Sequence, residues 1–172
     1  MNPNKALWEK GDFTRIAQSM RESGEALARG MGVTAGMKVL DLGCGDGTTA
    51  LPEAMLGADV LGIDIAGNLV AAGRRRALEA GLANCRFQEG DASDLRDLQD
   101  GSFDLVICRA PMKSFPDPVG VLREMRRVLK PGRRGVLLNL RRDVPPEQVS
   151  RYGEARSTSL IAQMSARLEF YL

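Results

Sequence analysis

Histidine is absent from the 172 residues, which removes the usual general base near neutral pH and the commonest protein metal ligand. Cysteine is scarce. Cys44, Cys85 and Cys108 are odd in number, far apart and without metal-ligand spacing, so reduced thiols and no metal site are expected. No apolar run reaches the ~18–20 residues a membrane span requires, so no membrane partner is expected. Residues 1–10 lack the apolar core of a signal peptide, which makes a cytoplasmic protein the expectation. Aromatic residues are only 5% of the chain, and they do not interleave with the arginines that gather toward its end. Residues 1–119 carry 13 Lys/Arg against 17 Asp/Glu, while residues 120–172 carry 11 against 5. A basic third can favour nucleic acid, but without stacking residues a solvated arginine-rich surface is expected.

With 44% apolar and 27% charged residues, the chain has an ordinary globular composition. Its length suits one domain burying roughly 68–70% of its unfolded surface. Short apolar runs alternate with helical periodicity. Ile16, Met20, Leu27 and Met31 share a face, which predicts a helix over residues 13–30. Strands are predicted at residues 37–42, 59–64, 85–88, 103–108 and 135–140, with helices over 48–56, after Asp64 and from about Asp117. The second of these turns Leu69, Gly73, Ala77 and Ala80 inward and fans Arg74, Arg75 and Arg76 outward as a helix surface. The third aligns Val121, Leu122, Met125, Val128 and Leu129 and stops at Pro131-Gly132. Strands separated by helices imply a parallel sheet with right-handed crossovers, and ligands of such sheets bind beyond the strands' carboxyl ends where strand order reverses. Asp41 with the turn to Gly47, Asp64, Asp91 and the segment from Cys108 to Pro111 all fall at such ends.

Residues 39–47 read Val-Leu-Asp-Leu-Gly-Cys-Gly-Asp-Gly, a buried strand running into a glycine-rich turn with two carboxylates. The glycines let backbone approach a ligand closely. Asp41 and Asp46, however, put negative charge where a dinucleotide's pyrophosphate would sit. A cationic nucleoside fits better, and S-adenosyl-L-methionine, a sulfonium with an ammonium group and no phosphate, is the candidate. Asp64 follows Asp41 by 23 residues and suits both ribose hydroxyls, or else caps the next helix. Asp91 suits an adenine amino group or a cap, and Ile65 suits the adenine face or the core.

These residues together resemble the class I S-adenosyl-L-methionine-dependent methyltransferases over roughly residues 12–140. Residues 39–47 are similar to that family's first motif, which lines the methionine and ribose moieties. Asp64 falls at its ribose-binding acid, Asp91-Ala92 at its adenine contact, and Leu129-Lys130-Pro131-Gly132 at its turn before strand five. Phe103-Asp104-Leu105-Val106-Ile107-Cys108-Arg109 resembles its fourth strand, after which donor and acceptor meet. The resemblance implies a three-layer Rossmann-like α/β sandwich with sheet order 3-2-1-4-5. It implies cofactor-binding residues Asp41, Gly43, Cys44, Gly45, Asp64, Ile65, Asp91, Ala92 and Cys108. It also implies methyl transfer to a small-molecule acceptor with S-adenosyl-L-homocysteine as product.

Within that family the chain is similar to the quinone-biosynthesis branch, whose paired histidine before Asp-Pro is replaced here by Lys113-Ser114. Arg109-Ala110-Pro111-Met112 does not match the Asn/Asp-Pro-Pro-aromatic motif of enzymes acting on amide or nucleobase nitrogens. No catalytic residue is assigned. Asp117 or the substrate itself is the candidate base, Lys113 suits orienting an acid, and Arg15 is weighed against a surface role as a partner for the methionine carboxylate. Residues 1–35 are expected as a helical lid, 36–140 as the cofactor-binding core and 141–172 as a helical tail in a single domain. Strands six and seven are expected to be absent, because Leu160, Ile161, Met164, Leu168 and Tyr171 share a helical face. Strand five would then be an apolar edge, covered by the tail or paired in a homo-oligomer. Two other function classes stand beside methyl transfer. A binding-only protein would retain the pocket, and a nicotinamide oxidoreductase is disfavoured by Asp46 and the Gly-x-Gly-x-Gly spacing.

Overall fold

The computed structural model describes residues 2–10, 13–140 and 165–171. Its sheet comprises β1 (Lys38–Leu42), β2 (Asp59–Asp64), β3 (Cys85–Glu89), β4 (Phe103–Cys108), β5 (Leu129–Leu140) and β6 (Ser165–Tyr171), in the spatial order β3-β2-β1-β4-β5-β6. The first five strands are parallel, in the 3-2-1-4-5 order anticipated, and β6 runs antiparallel to β5. Strand order reverses between β1 and β4, where Leu42 pairs with Cys108.

Side chains of β1 alternate between two cores, as a pleated strand requires. Val39 joins Ala50, Leu51, Val60, Phe87 and Ile107 on one face. Leu40 and Leu42 join Val106, Cys108, Val121 and Met125 on the other. Period-two alternation places Asp41 on the same face as Val39, under α4 (Ala50–Met55). The second face is covered by α6 (Pro118–Val128), whose start is fixed by the Asp117 carboxylate accepting from the Gly120 N–H at 2.8 Å and by proline in the first turn. The helix α5 (Gly67–Glu79) packs Leu69, Val70, Gly73 and Ala77 inward, whereas Ala80 is exposed.

Three elements differ from the sequence reading. The helix expected over 13–30 is two helices, α2 (Phe13–Gln18) and α3 (Arg21–Gly30), preceded by the short α1 (Lys5–Trp8). At the break, Ser19 Oγ donates to the Ile16 carbonyl and Ser23 Oγ to the Met20 carbonyl, side-chain bonds that compete with helix continuation. The C-terminal end of α6 is Val128, not Pro131. The chain turns extended at Leu129, and the Pro131-Gly132 turn becomes an irregularity inside β5, whose pairing shifts between Phe103 and Leu105.

The third difference concerns the tail. Strand six was expected to be absent, yet residues 165–171 form β6, pairing Arg134 with Tyr171 through to Leu140 with Ser165. Leu168 and Tyr171 therefore lie in a strand, while Leu160, Ile161 and Met164 lie outside the described residues. The segment Ser-Ala-Arg-Leu-Glu-Phe-Tyr also alternates with period two, and the unpaired N–H and C=O groups along β5 decide between the two patterns. The edge of β5 is covered by the chain's own tail, one of the two outcomes expected, though by a strand and not by a helix. Among the described residues, no helix is long and apolar enough to cross a membrane.

Gly24 lets α3 rest directly on the glycine-rich turn, since a Cβ there would lie 2.1 Å from the Thr48 carbonyl oxygen. Gly24→Ala is expected to cost about 1–3 kcal/mol in urea denaturation. An unchanged midpoint would show that this approach does not constrain α3.

Candidate functional site

Beyond the carboxyl ends of β1 to β4 lies a cavity of about 760 Å³, closed on its outer side by residues of α1, α2 and α3. Eight of the nine sequence-predicted cofactor residues line it: Asp41, Gly43, Cys44, Gly45, Asp64, Ile65, Asp91 and Ala92. The ninth, Cys108, is fully buried behind the wall. Its Sγ lies 3.6 Å from the Ala110 carbonyl, and burial pushes its thiol up to about 12. Its sequence neighbours Arg109 and Ala110 reach the cavity instead.

The turn after β1 is pinned to β2, because the Gly43 and Cys44 N–H groups both donate to the Ile63 carbonyl at 2.8 and 3.2 Å. Gly43 (φ +65°) and Gly45 (φ +55°) occupy the left-handed region. A Cβ on Gly43 would meet that of Ala110 at 2.6 Å, whereas one on Gly45 would project into open space. Asp64 accepts from the Gly45 N–H at 2.8 Å and the Ala66 N–H at 2.9 Å, tying the turn to the start of α5. It thus braces the turn ahead of α5, whose N-cap is Ala66, and also faces the cavity. Burial raises its pKa, against the lowering effect of those backbone donors.

Asp41 is 1% exposed, and its Oδ1 has no hydrogen-bond partner among the described residues. Burial pushes its pKa up to about 7. Arg109 opposes that rise, Asp64 adds to it, and the Ala50 N–H opposes it. On the same side of β1, the carboxyl of Glu53 is fully buried with neither oxygen partnered. Desolvation first, and then the nearby Asp41 charge, raise the Glu53 pKa well above its ordinary value. Asp91 is different. Burial works against its charge, but donors from the Ser93 N–H, Asn2 and the Ser93 hydroxyl outweigh it and hold its pKa low. Asn2 Nδ2 donates to its Oδ2 at 2.8 Å, and Ser93 N and Oγ donate to its Oδ1 at 3.0 and 2.8 Å.

Asp46, read from the sequence as bare negative charge, is compensated locally. It is 2% exposed and receives both Arg21 Nη groups, the first at 2.8 Å, as well as the Thr48 hydroxyl at 3.3 Å. Arg76 donates to its carbonyl oxygen and stands 3.6 Å from its carboxylate. Arg76 is therefore not merely helix surface as expected. Arg74 is also engaged, donating to the Phe87 carbonyl at 3.0 Å, while Arg75 faces solvent. Of the acids predicted from the sequence, Asp41 and Asp64 keep oxygen capacity facing the cavity, while both oxygens of Asp91 are already met by Asn2 and Ser93.

The outer wall is apolar, with the Trp8 and Phe13 rings 5.2 Å apart and Met20 and Phe115 beside the cavity. The N-terminal segment is fastened across the strand ends. Asn4 Nδ2 donates to the Ser114 carbonyl at 2.7 Å, Lys5 pairs with Glu89, and Glu9 accepts from the Gly67 N–H at 3.2 Å. Arg15 is exposed and does not line the cavity, and the Asp117 carboxylate is committed to capping α6 outside it. Lys113 lies in a 3₁₀ turn (Met112–Ser114) beside the cavity.

Sequence reading missed Arg21, Arg109 and Glu53. Arg21 meets its partner across 25 positions without a periodic signature. Arg109 had one usable signal, as a cation directly after a buried strand, and Glu53 another, as an acid within an otherwise apolar helix.

A family profile described as a methyltransferase domain matches residues 33–169. A ubiquinone biosynthesis O-methyltransferase from Albidiferax ferrireducens is 43% identical over 98 residues, covering 57% of this chain and 39% of the relative. The chain thus spans about two-fifths of the length of the curated relatives it matches. The YcgJ protein from Bacillus subtilis has a TM-score of 0.64 at 31% identity, covering 77% of this chain and 58% of that one. A SAM-dependent methyltransferase from Aquifex aeolicus has a TM-score of 0.66 at 23% identity, covering 80% and 79%, a likeness of fold alone.

Asp46→Ala leaves two guanidinium groups facing an emptied buried position, and is expected to cost about 3–5 kcal/mol in chemical denaturation. Arg75→Ala removes only an exposed pair with Glu79 and should cost below about 0.5 kcal/mol. Equal effects would contradict the anchoring role of Asp46.

Proposed function

Because the chain belongs to the methyltransferase domain family, we propose that it transfers a methyl group from S-adenosyl-L-methionine to an oxygen of a small aromatic acceptor. The observation that carries this reading is the meeting, in one cavity, of a glycine-rich turn with the carboxylates of Asp41, Asp64 and Asp91. The hydrogen-bond acceptor groups fit the cofactor. Asp64 has lone pairs for two ribose hydroxyls beyond its backbone donors, and the orphaned Oδ1 of Asp41 suits a cationic amino group. Gly45 leaves open space where a side chain would obstruct a nucleoside. When bound, the cofactor supplies an electrophilic sulfonium methyl, and its transfer leaves S-adenosyl-L-homocysteine.

The protein's own share is alignment and exclusion of water. Ala110, Pro111, Ser114 and Phe115 follow β4 and form the wall beside which the acceptor enters, while Trp8, Phe13 and Met20 close the cavity from outside. These aromatic and apolar surfaces suit a flat ring. The similarity to relatives named for ubiquinone biosynthesis O-methylation supports a hydroxyl as the accepting group. The chain contains no histidine and Asp117 is committed elsewhere, so the acceptor is one whose hydroxyl ionises near neutral pH.

Asp64→Ala removes charge-assisted bonds worth about 1.5–3 kcal/mol each, so calorimetry should show S-adenosyl-L-homocysteine binding weakened at least about tenfold. Transfer of labelled methyl across a panel of phenols and catechols whose electron-withdrawing substituents bring the hydroxyl pKa toward neutrality should fall in step at limiting donor concentration. Unchanged affinity in the variant, or no binding to the parent chain, would overturn the reading.

A further inference from the structure

The outer wall of the cavity is fastened in two different ways. The helix α3 is tied to the glycine-rich turn by Arg21 on the buried Asp46 and by the close approach of Gly24 to Thr48, and it buries Gly24 and Ala28. Neither α1 nor α2 buries a residue. Residues 2–9 are held instead by side-chain bonds along the rim. Asn2 Nδ2 donates to Asp91 Oδ2 at 2.8 Å and Asn4 Nδ2 to the Ser114 carbonyl at 2.7 Å, while Lys5 pairs with the exposed Glu89 and Glu9 accepts from the Gly67 N–H at 3.2 Å. These partners lie at the end of β3 and beyond it, beyond β4 and at the start of α5, so the segment is stretched across the strand ends as a strap. Exposed bonds over little buried apolar surface are the ones that open first. One anchor differs from the rest, because Asp91 is the residue that the sequence resemblance matches to an adenine contact. A carboxamide presents a planar NH2 group, as adenine does. Ser93 already donates twice to Asp91 Oδ1, which leaves Oδ2 as the oxygen for which Asn2 and a base amino group compete. The Asn4 N–H donates to Asn2 Oδ1 at 3.0 Å and so turns the NH2 of that amide toward Asp91.

We propose that residues 2–9 are an autoinhibitory strap, in which the Asn2 carboxamide holds Asp91 in place of the ligand's base and must leave before the nucleoside binds. The inference rests on the methyl-transfer reading, which supplies the adenosyl ligand. The chain then exists with the strap closed or released, and only the released form offers Asp91 Oδ2. The apparent dissociation constant exceeds the intrinsic one by the inverse of the released fraction, so anything that loosens the strap tightens ligand binding. A wall residue with a merely structural role predicts the opposite sign.

The test is calorimetry on the full chain with S-adenosyl-L-homocysteine, comparing the parent with Asn2→Ala and Asn4→Ala. Both replacements are neutral, so neither changes the charge around the ligand. Asn2→Ala removes the competitor itself, and Asn4→Ala removes an anchor to Ser114 while leaving Asp91 and Asn2 in place. Asn2→Ala should tighten binding about threefold or more, which corresponds to a strap closed in at least about two-thirds of parent molecules. Asn4→Ala should tighten it in the same direction. Trp8, the chain's single tryptophan, lies within the strap, so its emission should change on ligand addition. In stopped flow the rate of that change should level off with ligand concentration, at a plateau that both variants raise. Affinity unchanged or weakened in either variant, or a rate that climbs without levelling in the parent, would overturn the inference and leave methyl transfer standing. Failure of the parent to bind the ligand at all would overturn the methyl-transfer reading, and this inference with it.

Discussion

The structure depends on the burial of one carboxylate, Asp41, at the carboxyl end of the central strand. Pleat alternation directs it under α4 into an environment with too few donors, and desolvation pushes its pKa toward neutrality. An acid held there weakens the fold, since its charged form is favoured by water and not by its surroundings. Glu53 adds a second unpartnered acid on the same side of β1 and compounds that cost. A carboxylate left under-satisfied next to a cavity, as Asp41 is, belongs where a ligand, not the protein, completes its bonding.

The other acids of the rim divide by what holds them. Asp46 is claimed by Arg21, Arg76 and Thr48, and serves to fasten α3 and α5 onto the glycine-rich turn. Asp64 shares its oxygens between two backbone donors and the cavity. The Oδ2 of Asp91 is met by the carboxamide of Asn2, so the N-terminal segment already stands where the sequence resemblance implies an adenine amino group. Negative charge in the turn is therefore part scaffold and part binding surface. The distinction follows from the arginines around it rather than from the acids themselves.

That division explains how far the sequence could be read. β2 and β4 fall where alternation and apolar runs predict them, residues 59–64 and 103–108, because buried parallel strands bounded by turns leave a strong local signal. Strand ends then deliver Asp41, Asp64 and Asp91 to one cavity through topology alone. The failures are long-range or two-valued. Arg21 finds Asp46 across an interval no periodicity records, and Arg76 looks like any exposed helix arginine until the turn lies beneath it. Residues 165–171 satisfy helical and strand spacing alike, and only the unpaired edge of β5 selects the strand. Cys108 ends its strand pointing into the core, because a pleat offers alternate residues to opposite faces, and the half-buried Arg109 takes the cavity-facing position one step later.

The most direct test of the electrostatic claim is proton linkage in S-adenosyl-L-methionine binding, measured by calorimetry at about pH 6.5 in buffers of different ionisation enthalpy. Burial raises the Asp41 pKa to about 7, so without a cation beside it much of it is protonated near pH 6.5. A cation beside it lowers that pKa, so binding should release protons, and affinity should rise from about pH 5.5 to 7. Binding that releases no protons, with affinity flat or falling over that interval, would contradict the assignment of Asp41 to a cationic ligand.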